Sequence, residues 1–63
     1  MQRQELRDSR NHLVGTITTL SNGQLELRDE RNHLLGRYDP KKNETRDDRN
    51  HLVGRGNLLT SLL

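Results

Sequence analysis

The sequence predicts an all-β fold, an antiparallel meander of three repeated hairpins with a short Leu-rich C-terminal segment. Three observations carry that expectation. The stretch RDSRNHLVG at 7–15 returns as RDERNHLLG at 28–36 and as RDDRNHLVG at 46–54, inside a longer unit E-[LT]-R-D-x-R-N-H-L-[VL]-G. The copies begin at Glu5, Glu26 and Glu44, and offsets of 21 and 18 residues are too short for a helical hairpin and suit one β-hairpin each. Finally, SNG at 21–23 lies between TITTL and QLELR, and Asn-Gly flanked by such runs is the strongest short-range hairpin signal. The whole chain reads as one domain, with repeats at about 5–17, 26–38 and 44–56 and a tail at 57–63.

Taken in order, a first strand is expected near 3–8, ending where Asp8 and Asn11 bracket a turn. Asp suits the opening position of a type I turn because its carboxylate accepts backbone N–H groups. Asn tolerates the positive φ that closes such a turn with a G1 bulge. Asp29 with Asn32, and Asp47 with Asn50, should reverse the chain in the same way. The returning strands fall near 13–19, 34–38 and 52–55, and the outgoing strands of repeats two and three near 24–29 and 44–47. Between repeats two and three, DPKKN at 39–43 is a turn, with Pro40 fixing φ early and Asn43 near its end. Consecutive hairpins make a meander. Alternation places Leu13, Gly15 and Ile17 on one side of their strand, and Leu34, Gly36 and Tyr38 likewise. Leu6, Leu27 and Thr45 occupy matching positions. Glycines at equivalent interior points mark a bend or a close backbone approach, so the narrow sheet is expected to curl.

The tail GNLLTSLL differs in kind. Gly56 breaks the strand, Asn57 suits an N-cap, and Leu58, Leu59, Leu62 and Leu63 form one apolar stripe if the tail is a short helix, with an extended segment as the alternative. Such a helix is too short to persist free in water, so it must dock on its own sheet or on a partner. These four leucines are the expected interface.

Composition explains why a partner is expected. Only 27% of the residues are hydrophobic, twelve of them are Leu, and Tyr38 is the single aromatic. A 63-residue chain is close to the lower limit for independent folding, and this one has little apolar material to bury. Disulfides, metals and self-association are the usual remedies. There is no cysteine, which excludes disulfides and thiolate metal sites. A homodimer is therefore expected, formed through strand edges and the Leu-rich tail, with exchange of a hairpin hinged at 21–23 or 39–43 as one route. The eleven bases are interleaved with nine acids and leave a net charge of +2, a mixed solvated surface with no basic block. No stretch approaches transmembrane length and MQRQELRDSR has no apolar leader core, so the chain reads as soluble and cytoplasmic.

The motifs resemble those of short bacterial proteins with tandem RD-x-RGN-x-LG repeats, a class with no established activity. In that class the chain often runs on as GRYDPKTNxTxDxRGN and ends in GNLLTxLL, which 36–50 and 56–63 match closely. Where that class reads Gly-Asn, this chain reads Asn-His; Asn keeps the tolerance for positive φ. The repeats are also distantly similar in style to β-flower repeat domains. What the resemblance implies is an all-β, self-associating protein, with nothing added about chemistry.

Three sharper readings compete with simple duplication of a structural unit. His12, His33 and His51 would converge on a metal only if the three turns surrounded one axis; local hydrogen bonding, copied with the unit, accounts for them, and no metal or cofactor is expected. Asp8, Asp29 and Asp47 would need a water-poor cleft for acid–base catalysis, and a chain with so little apolar lining is not expected to be an enzyme. Arg7, Arg10, Arg28, Arg31, Arg46 and Arg49, with Arg37 and Arg55, offer a surface for nucleic acid, but acids flank most of them and stacking aromatics are missing. A protein-interaction or structural module with an unspecified protein partner is the leading expectation, and weak nucleic-acid binding is the alternative. The tail has no basic face for a membrane surface.

Overall fold

A computed structural model describes residues 2–63. Six strands, β1 (Arg3–Arg7), β2 (Leu13–Thr19), β3 (Leu25–Asp29), β4 (Leu34–Asp39), β5 (Glu44–Asp47) and β6 (Leu52–Arg55), form one sheet in the order β1-β2-β3-β4-β5-β6. Every neighbouring pair is antiparallel. The fold is thus the all-β meander that the sequence predicts, with strand ends within one residue of expectation.

The turns explain the regularity. Asn11, Asn32 and Asn50 carry φ of 65°, 68° and 67°. In each case the Asn N–H donates to the carbonyl of the Asp three residues earlier, and that Asp N–H donates to the following His carbonyl. This is a type I turn closed by a left-handed residue. The SNG turn obeys the same rule: Gly23, at φ 90°, takes the left-handed position while the Asn22 side chain accepts the Gln24 N–H. In the DPKKN turn, Asn43 does so at φ 53°.

A register break recurs at one place per repeat, between Leu6 and Arg7, Leu27 and Arg28, and Thr45 and Arg46. It interrupts strict alternation. Leu13, Leu34 and Leu52 face Arg7, Arg28 and Arg46 across the ladder, so Leu13 does not share a row with Gly15 and Ile17, nor Leu34 with Gly36 and Tyr38, as the bare alternation suggests. Before the break, Leu6 faces Gly15, Leu27 faces Gly36 and Thr45 faces Gly54. A side chain at Gly15 or Gly36 would meet backbone of the next repeat: an added Cβ would lie 2.9 Å from the Arg28 carbonyl oxygen or 2.5 Å from that of Arg46.

The tail turns back over this glycine-lined side of the sheet. Leu59–Leu62 form a short 3-10 helix, the helical one of the two expected forms in its tighter geometry. Asn57 is not its N-cap; Leu58 stands there, and the Asn57 side chain instead accepts the Leu59 N–H at 3.2 Å. Leu58 lies against Gly54, Leu62 against Gly36 and Leu63 against Gly15, one leucine to each repeat's glycine. Leu59 and Leu27 are the two fully buried apolar side chains among the described residues.

Candidate functional site

Three features were assembled by the fold: a rim of three turns, a charged strand face, and the groove that holds the tail. The rim is built three times from the same parts. Asp8, Asp29 and Asp47 each accept two backbone N–H groups through Oδ1, from Arg10 and His12, from Arg31 and His33, and from Arg49 and His51, all within 2.8–2.9 Å. Asn11, Asn32 and Asn50 provide the left-handed backbone. The turn-forming residues singled out in the sequence therefore sit together, functioning as turn chemistry.

The remaining carboxylate oxygen of each Asp faces its histidine. Nδ1 lies 3.9, 3.3 and 3.6 Å from Oδ2 at His12, His33 and His51. The backbone N–H groups of His33 and His51 hold the carboxyls of Asp29 and Asp47 below the ordinary aspartate value, against the opposing effect of desolvation and with help from the N–H groups of Arg31 and Arg49. The three turns project from one end of the sheet and are separated by two strand spacings, about 10 Å. The imidazoles are therefore held apart, and no group of three or more His, Asp or Glu among the described residues is placed to hold a metal ion.

The strand arginines are engaged locally. Arg7, Arg28 and Arg46 each bond a glutamate two residues back, Glu5, Glu26 or Glu44. Each also donates to the turn carbonyl of Asn11, Asn32 or Asn50 at 3.0 Å. The guanidinium thus acts as a strut between strand and turn. Glu26 holds a second arginine, Arg37, at 3.1 Å. Burial pushes the Glu26 carboxyl up, but its bonds to Arg28 and Arg37 outweigh this and leave it below the usual value. An open cleft of about 450 Å³ on this side is lined by Leu34, Arg37, Asp39, Glu44, Arg46 and Asp47 among others. Within it Arg37 is paired with Glu26 and Arg46 with Glu44. Arg10, Arg31 and Arg49, at the turns, make no side-chain ion pair among the described residues.

In the groove, Thr45 proves to be a residue that sequence reasoning undervalued. It stands where the other repeats have Leu6 and Leu27, and it is fully buried. Its hydroxyl donates to the Gly56 carbonyl at 2.6 Å and accepts the Leu58 N–H at 2.9 Å. The break in the repeat at this position was the available signal. Of the four expected interface leucines, Leu59 is buried within its own chain and Leu62 half-buried, while Leu58 and Leu63 are 36% and 51% exposed.

No protein-family model matches this chain, and neither does any curated protein or solved structure. No helix is long and apolar enough to cross a membrane.

Proposed function

We propose that this chain is a self-associating β-repeat module with a protein-interaction or structural role, the smallest assembly being two copies. One observation carries the reading: among the described residues two apolar side chains are fully buried, while Leu52, Val53, Leu58 and Leu63 remain exposed. Association covers that surface and enlarges a core that is small for one chain. The two free sheet edges, β1 and β6, supply backbone groups ready to pair with another copy. Exchange of a hairpin, hinged at Ser21–Gly23 or Asp39–Asn43, is one route. The resemblance to short repeat proteins of bacteria supports the same reading. Nucleic-acid binding has less support, because Arg7, Arg28, Arg37 and Arg46 are engaged with glutamates. Light scattering over a concentration series tests the proposal: the mass should rise to at least twice the 7.4 kDa of one chain. A constant single-chain mass overturns it. Salt-sensitive retention on DNA would instead favour the arginine surface.

A further inference from the structure

The Asn22–Gly23 turn joins the first two repeats, and its geometry suits a reaction as well as a reversal. An asparagine side chain can close on the backbone nitrogen of the next residue, joining that nitrogen to the side-chain carbonyl carbon, Cγ. The closure needs room beside the nitrogen, access for water, and a donor at the amide oxygen, where negative charge develops. Glycine leaves the room, because it has no Cβ. A Cβ at Gly23 would meet nothing within 4 Å, and Ser21, Asn22 and Gly23 are all exposed. The turn itself supplies the donor: the Gln24 N–H reaches Asn22 Oδ1 at 2.9 Å.

The other five asparagines lack this combination. Asn11, Asn32 and Asn50 each precede a histidine, whose backbone N–H is held by the turn aspartate at 2.8–2.9 Å. Asn43 precedes Glu44, which stands in β5 with a paired strand on either side. Asn57 is the nearest parallel, since its Oδ1 accepts the Leu59 N–H. There, however, the attacking nitrogen would be that of Leu58, which is bonded to the hydroxyl of the buried Thr45 at 2.9 Å. The Gly23 N–H is bonded too, to the Leu20 carbonyl at 3.0 Å. That bond lies at the exposed tip of a turn, and Gly23 has no side chain to unpack when it opens.

We propose that Asn22 is a site of spontaneous deamidation through a cyclic imide with Gly23, a property independent of self-association. The Gly23 nitrogen gives its proton to solvent base and bonds to Asn22 Cγ; the Cγ–Nδ2 bond breaks and ammonia leaves. Water then opens the ring. Addition at Cγ yields aspartate, which still accepts the Gln24 N–H. Addition at the former main-chain carbonyl yields isoaspartate, which lengthens the backbone between Leu20 and Gln24, where the Leu20 N–H donates to the Gln24 carbonyl at 2.8 Å and closes the hairpin. The full chain held in mildly alkaline buffer should gain the mass difference between amide and acid at Asn22 before any other asparagine, with isoaspartate among the products, as fragment masses show. The same chain in urea gives the reference rate. Gly23→Ala should slow the conversion about tenfold; because a side chain at φ 90° disturbs the turn, the comparison is repeated in urea, where no turn exists. The purified isoaspartate form should melt below the wild type, and Asn22→Asp should melt with it. Earlier conversion at another asparagine, or none in the native chain while the chain in urea converts, overturns the site. Equal melting of the isoaspartate form and Asn22→Asp overturns its effect on the hairpin.

Discussion

Thr45 shows how one atom decides the end of the chain. Leu6 and Leu27 need only fill space, but the third copy lies beneath the start of the tail, where a backbone N–H and a carbonyl would otherwise be buried without partners. Its hydroxyl answers both. Thr45→Val keeps the shape and removes those bonds, and should cost about 1–3 kcal/mol in urea unfolding; a loss below a few tenths would show that water replaces them. The turn aspartates set a second residue-scale expectation. Asp29 and Asp47 have folded-state pKa values below their ordinary ones, so the unfolded chain takes up protons first as the solution is acidified. Their contribution is complete above the unfolded aspartate pKa, about 4, and is lost as pH falls through the lower folded value. Melting curves between pH 6 and pH 2 should show stability falling in that window, with a shallower fall in Asp29→Asn.

At the scale of the elements, the three returning strands differ in what their glycines touch. Gly36 is pressed by the Arg46 carbonyl, which belongs to the backbone ladder, and by Leu62; Gly54 meets only the side chain of Leu58. A backbone oxygen has nowhere to move, while a half-exposed leucine does. Gly36→Ala should therefore destabilise by about 1–3 kcal/mol, and Gly54→Ala by clearly less, as measured by thermal melting of the two variants side by side. Equal losses would mean that the tail, and not the ladder, sets the limit. The hairpins themselves were legible in the sequence because their signals are local. Asp8 through His12 contain the backbone and carboxylate groups that close their turn, and the same is true of Asp29–His33 and Asp47–His51. The register break beside Arg7, Arg28 and Arg46 was less legible, because a bulge depends on how two strands meet, and alternation read along one strand misplaces Leu34.

For the whole molecule, the tail closes over the sheet that precedes it. Leu59 is half of the fully buried apolar pair and the other leucines of the tail occupy the glycine seats of all three repeats. Deleting Leu58–Leu63 should leave a chain that is unfolded or aggregates, seen as loss of the β-sheet circular dichroism signal or as turbidity; a truncated chain with a cooperative melt would contradict this. The sequence by itself determined the fold class, the five reversals and the strand boundaries. Those follow from the preferences of Asp, Asn, Gly and Pro for particular backbone angles and act over a few residues. Only the tertiary structure decided that the tail turns inward on its own sheet, that it does so as a 3-10 turn, that Thr45 receives it, and that β6 is left uncovered. Burial is non-local and carries no direction along the chain, so the leucines of the tail announced that they would be covered without announcing by what.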